Sequence, residues 1–200
     1  IFAAVSMLYI VAFETFSKFF KAVLKNQYLI MAVGGGIVAL LTLVLQSNEY
    51  LGTGISQIPD LLFVSAPWYV FLLKILFTAV SLGAGFKGGE IAPAMFVGAS
   101  LGSFLAPMFG LPIPLVVACG MAAVFCGVTN SPITAIVFSV ELFGASQIYY
   151  TMICVAVSYL ISEYFSIYKT QKIMYSKYST TFINRKSPDI KDICVLTISS

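Results

Sequence analysis

The chain has 200 residues, 60% of them hydrophobic and only 10% charged, with 11 basic and 8 acidic side chains, no histidine and a net charge of +3; its mean hydropathy is +0.97. Globular domains are roughly a quarter charged, so this composition excludes most soluble folds and places the chain among polytopic membrane proteins. The lack of histidine excludes an H-E-x-x-H zinc site, a Ser-His dyad and a histidine proton relay, and so small a net charge gives no reason to expect a nucleic-acid partner.

The chain begins at Ile1, already inside an apolar stretch, with no initiator methionine and no basic leader, and so reads as a fragment of a longer protein. The first apolar stretch, Ile1 to about Lys25, loses hydrophobicity after Phe13 and is expected to protrude into the cytoplasm. A second span covers Tyr28 to Leu45, with Gly34, Gly35 and Gly36 positioned to let a neighbouring helix approach closely. Ser47 to Pro59 is a polar connection leading into a short segment, Ile55 to Val64. A third span, Trp68 to Leu82, opens after Pro67 on the interfacial pair Trp68-Tyr69. From residue 83 the apolar runs become short and broken: Ile91–Ala106, Leu115–Gly127 and Ile133–Phe143. Helices of these lengths cover only about 17–24 Å, less than the ~30 Å hydrocarbon core. Ile148 to Tyr168 is long enough to span, and a last short helix is expected around Ile173 to Ile183.

Charge placement orients this arrangement. Lys18, Lys21 and Lys25 gather in one connection, and Lys169, Lys172, Lys177, Arg185, Lys186 and Lys191 gather near the C-terminus. The connection bearing Glu49 and Asp60 carries no basic residue. The positive-inside bias puts both basic regions, and with them the C-terminus, on the cytoplasmic side. Broken helices at membrane depth survive only where they face protein or a polar cavity, which is the pattern of a channel or carrier.

The most informative stretch is Gly83-Ala84-Gly85-Phe86-Lys87-Gly88-Gly89-Glu90-Ile91-Ala92-Pro93. Gly88 and Gly89 permit an unwound backbone, and Pro93 suits a first helical turn, where its missing N–H is not needed. The break therefore ends in a helix N-terminus inside the membrane, with the amides of Gly89, Glu90 and Ile91 free. Such an end carries roughly half a positive charge and binds small anions. The plainer alternative is a re-entrant turn that only packs helices.

Gly88-Gly89-Glu90-Ile91-Ala92-Pro93, followed by Gly98-Ala99-x-x-Gly102, resembles the G-x-F-x-P anion motif of the CLC family of chloride channels and anion/proton antiporters. The resemblance runs in order over residues 1–184. It takes in Gly54–Leu61, Leu73-Lys74-Ile75-Leu76, Asn130-Ser131-Pro132-Ile133-Thr134, Val140-Glu141 and Lys172-Ile173-Met174-Tyr175-Ser176. It implies an all-α membrane fold of two inverted repeats, of which this chain is the second, with residues 185–200 a cytoplasmic tail or the start of a following segment. It further implies an anion site formed by Gly88, Gly89, Glu90, Ile91, Ala92 and the Tyr175 hydroxyl, a homodimer, and fluoride or chloride and H+ as the transported ions with no cofactor. The family's gating glutamate and its other anion loop belong to the first repeat. One departure matters: the phenylalanine position holds Ile91, and the acid Glu90 precedes it. That variant resembles the fluoride/proton antiporter branch. A carboxylate beside an anion site repels the anion when ionised and favours a proton when the anion is present, which links the two ions. Glu90 is therefore the proton-coupling candidate; the alternative role is that of a helix N-cap.

Other residues are less decisive. Tyr175 on its own reads as an interfacial anchor, and Tyr178 lies on a nearby face. Glu141 and Glu163 sit at helix ends and read as structural. Lys74 lies within a span and has three readings open: snorkelling, attracting anions, or pairing with an acid. Cys119, Cys126, Cys154 and Cys194 show no metal spacing. The function classes are a proton-coupled fluoride exporter, a chloride channel or chloride/proton antiporter, a membrane enzyme and a scaffold. The enzyme is disfavoured because Asp60, Asp189 and Asp192 all lie outside the clear spans, and a scaffold requires no mid-membrane glycine break.

Overall fold

The computed structural model describes residues 1–23, 26–47, 49–162, 166–168, 172–175 and 182–186, the last two segments by backbone alone. The helices among them are α1 (Phe2–Val23), α2 (Gln27–Leu45), α3 (Ile58–Leu61), α4 (Tyr69–Gly83), α5 (Ile91–Met108), α6 (Ile113–Thr129), α7 (Pro132–Phe143) and α8 (Ile148–Ile161). Single 3-10 turns, Ile55–Gln57 and Ala145–Gln147, lead into α3 and α8. This is the all-helical membrane body that composition implies. Among the described residues, α1, α2 and α5 are long and apolar enough to cross a bilayer.

The bundle is built around α6. From Val116 to Thr129 every residue of this helix is buried, and α5, α8, α1 and α7 all pack against it. Its closest partner is α5, and small residues set that closeness. A side chain on Gly98 would run into the carbonyl oxygen of Gly120, and one on Gly102 into the backbone of Val116. Lipid tails are as apolar as the helix surfaces and give no hydrophobic driving force, so close backbone approach of this kind supplies the dispersion contact that holds the helices. At the other extreme, α2 buries only Ile30 and Gly34 and lies against α4. Its start is fixed by Asn26, whose side chain accepts a hydrogen bond from the Tyr28 amide at 3.1 Å, as an N-cap should.

Local signals account for the remaining turns. Asn130 ends α6 in the left-handed region at φ 57°, a conformation that asparagine tolerates better than most residues. Pro132 then opens α7 at a position needing no donor.

Four expectations are corrected. α5 reaches Met108 and is long and apolar enough to cross, where Ile91–Ala106 read as too short. α4, expected as a third span, has 15 residues and covers about 22 Å, which falls short. The last span ends at Ile161, so α8 has 14 residues and covers about 21 Å, too short to cross. The chain then turns back onto the end of α6, where the Ile167 amide donates to the Val128 carbonyl at 3.0 Å. The last helix around Ile173 to Ile183 is replaced by two antiparallel strands, β1 (Lys172–Tyr175) and β2 (Phe182–Lys186), pairing Ile173 with Arg185 and Tyr175 with Phe182. Ile173, Tyr175, Phe182 and Ile183 are β-branched or aromatic, and Ser179-Thr180-Thr181 between them form helices poorly. Glu163, Tyr178, Cys194 and the tail from 187 lie outside the described residues.

Candidate functional site

The glycine break forms where the sequence places it. α4 ends at Gly83, whose missing side chain leaves room for Phe16 and the backbone of Ser17 on α1. Gly85 takes φ 89°, a backbone region that side chains rarely enter. The chain then runs without helix through Lys87, Gly88 and Gly89, and α5 starts at Ile91 with Glu90 as its N-cap. Pro93 lies in the first turn and has no N–H, so Ile91 and Ala92 are the first-turn donors that the helix itself leaves unpaired.

The half-buried side chain of Glu90 makes no capping hydrogen bond to α5. Among the described residues no salt bridge reaches it. The capping alternative therefore has no bond to support it. The backbone of Glu90 is held from elsewhere: the Tyr9 hydroxyl donates to the Glu90 carbonyl at 2.8 Å. Tyr9 is 2% exposed and packs in one apolar cluster with Ala94 and Val97 of α5. Nothing local in the sequence marks this tyrosine, which lies 81 residues from its partner.

Beside the break lies a cavity of about 220 Å³. Gly88, Gly89, Lys87 and Pro93 form one wall, Thr78 and Ser81 of α4 another, and the Tyr50–Thr53 loop a third. Phe77, Leu82 and Phe86 complete a largely apolar lining with these polar residues interspersed, and Glu90, Ile91 and Ala92 are not part of it. Ile91 and Ala92 are half-buried at the start of α5. For Tyr175 the structure gives the backbone alone, at the end of β1, and its side chain lies outside what is described.

Lys74 neither snorkels nor pairs with an acid among the described residues. It is fully buried, and its Nζ donates to the carbonyls of Tyr50 at 3.2 Å and Gly52 at 3.0 Å. The same ammonium lies 5.1 Å from the centroid of the Phe96 ring on α5. It clamps the loop wall of the cavity to both helices. Replacing it by methionine keeps the bulk but leaves the Tyr50 carbonyl without its donor. The expected loss is roughly 1–3 kcal/mol of stability, with faster hydrogen exchange confined to residues 49–54; a thermal melt and exchange mass spectrometry check both. Elsewhere, Glu141 is exposed near the end of α7, Cys119, Cys126 and Cys154 are not in disulfides, and the described residues contain no cluster suited to a metal ion.

Comparison with known proteins gives a consistent picture. The sequence model for the voltage gated chloride channel family matches residues 1–163. A chloride/fluoride channel protein of Pseudomonas syringae pv. tomato is 36% identical over 185 residues, covering 89% of this chain and 41% of that protein. The voltage-gated ClC-type chloride channel ClcB of Salmonella typhimurium is 33% identical over 130 residues, 59% of this chain and 30% of that one. The crystal structure of a CLC-type fluoride/proton antiporter superposes with a TM-score of 0.78 at 34% identity, over 84% of this chain and 42% of that chain. The chain thus spans about four tenths of the length of the first of these relatives and of the solved structure.

Proposed function

The chain belongs to the voltage gated chloride channel family, a family of membrane transporters and channels, and we propose that the protein containing it exports fluoride in exchange for protons. The observation that carries this reading is Glu90, a carboxylate with no capping bond and no salt bridge among the described residues, directly before the free amides of α5. Gly88, Gly89, Glu90, Ile91, Ala92 and Tyr175 are the proposed anion contacts. Fluoride is a small, strong hydrogen-bond acceptor, and the N-terminus of an 18-residue helix offers amide donors with the helix dipole behind them.

Proton coupling follows from the sign of the charge on Glu90. Ionised, it repels an anion at the amides. Protonated, it is neutral and gains an O–H that can donate to fluoride. Occupancy by fluoride therefore favours occupancy by a proton, and lower pH on one side of the membrane should strengthen fluoride binding from that side. The chain's own groups supply this chemistry, so no cofactor is required beyond the transported ions. The protein is proposed to work as a homodimer in the cell membrane with its C-terminus in the cytoplasm.

The ClcB relatives support a second reading, a chloride channel or chloride/proton antiporter. Flux from liposomes holding the full-length protein separates the two. Under the first reading fluoride leaves at least about tenfold faster than chloride, and protons move the other way; a difference of that size corresponds to about 1.4 kcal/mol of discrimination. Chloride efflux equal to or faster than that of fluoride assigns the second reading instead.

A further inference from the structure

The hydrogen bond from α1 to the start of α5 has a role beyond packing. We infer that Tyr9 is a positioning residue for the anion site, acting through the peptide that joins Glu90 to Ile91; this rests on the reading of that site given above. The described residues contain no cis peptide bond, and a trans peptide is planar, with its C=O and N–H pointing in opposite directions. Fixing one end of that unit therefore fixes the other. The Tyr9 hydroxyl holds the Glu90 carbonyl at 2.8 Å, so the Ile91 N–H is held in the opposite sense, away from α1.

Three features make this hold effective. The tyrosine ring is 2% exposed and locked among apolar neighbours of α1, α4 and α5, including Ile10, Ile75, Ala94 and Val97, so its hydroxyl has little freedom. The residues just before Glu90 are Gly88 and Gly89, so the chain leading into Glu90 supplies little restraint of its own. Glu90 makes no side-chain bond to α5, so among the described residues Tyr9 adds the one side-chain restraint to a carbonyl that otherwise faces only the first turn of its helix. The second effect is electronic. A donor on the carbonyl oxygen polarises the amide and strengthens the donor at its nitrogen. Tyr9 thus aims the Ile91 N–H and raises its partial positive charge, with no contact to the ion itself.

The test uses the full-length protein and its Tyr9→Phe variant, which keeps the ring and removes the hydroxyl. Fluoride affinity by titration calorimetry and transport by fluoride electrode are read at one pH. The expected result is fluoride affinity weakened, and the apparent KM raised, by about three- to tenfold, with the maximal rate within about twofold of wild type. A variant carrying 3-fluorotyrosine at position 9, which retains shape and donor, should restore wild-type affinity. Equal fluoride affinity in wild type and Tyr9→Phe overturns the assignment, and so does a lowered melting temperature with unchanged affinity. If Tyr9→Phe does not fold, the fluorotyrosine variant decides alone: a more acidic donor must bind fluoride at least as tightly as wild type, and weaker binding overturns the assignment. A wild-type protein that moves neither fluoride nor chloride would instead reject the transport reading, and this inference with it.

Discussion

Glu90→Gln should leave fluoride moving but uncouple it from protons. Glutamine has nearly the same size and keeps a hydrogen-bond donor, so the space around the start of α5 is preserved. It carries no titratable proton. The proton-to-fluoride ratio, read from simultaneous fluoride-electrode and pH traces on liposomes, should fall toward zero, and the linkage between proton and fluoride binding, typically about 1–3 kcal/mol for coupled sites, should vanish with it. The pH dependence of fluoride binding should flatten at the same time. With the acid present, binding is strongest where Glu90 is protonated and weakens as pH rises and the carboxylate ionises; with the amide, that slope disappears. If Glu90→Gln keeps the wild-type ratio, the coupling proton is carried elsewhere.

The largest structural effect is expected from Gly98→Val. Two branches would be forced into the carbonyl oxygen of Gly120, where even a single added carbon has no room. The obstacle is backbone, not a flexible side-chain end, so relief requires α5 and α6 to separate. That separation disturbs the pair at the centre of the bundle and displaces the start of α5 with it. Overpacking of this kind costs about 1–3 kcal/mol in ordinary cores, and with no soft neighbour the loss should lie at or beyond the upper end. The expected outcome is protein that no longer survives heating and size exclusion as a single species. Gly36→Ala is the matched control: a methyl group there meets nothing within 4 Å, and the change should be neutral or stabilise by up to about 1 kcal/mol.

The parts of the fold that are legible in the sequence are those with local causes. The starts of α2, α5 and α7 are set by Asn26, Pro93 and Pro132, and the structure places them within a residue or so of expectation. The glycine break and the place of Glu90 beside it follow from Gly88, Gly89 and Pro93 in the same way. What sequence reasoning misses is set by contacts remote along the chain. The end of α8 is fixed by the return of Ile167 to Val128, and apolar length alone suggested a longer helix. The segment after Lys172 lacks the period that separates helix from strand, and its β-branched residues are the only hint. Lys74 reads as an isolated charge in a span because its partners are carbonyls, which every residue possesses and none advertises. Tyr9 is one of 11 tyrosines, and only the packing of α1 on α5 distinguishes it.

The contrast between α2 and α6 bears on how the protein meets its bilayer. A helix buried on every side, as α6 is along most of its length, has no hydrocarbon to match and feels lipid only through its neighbours. With 19 residues, α2 is about 28 Å long, close to the hydrocarbon thickness, and within this chain it buries only Ile30 and Gly34. Hydrophobic mismatch is relieved by tilting a helix of this kind at a cost of fractions of a kcal/mol per Å. The tilt would be felt at one place in particular, the crossing of Gly34 with Ala84, which sits at the end of α4 where the backbone unwinds toward Glu90. A change of bilayer thickness is therefore expected to reach the glycine break before Glu90 first, and flux from liposomes of different acyl-chain length checks it.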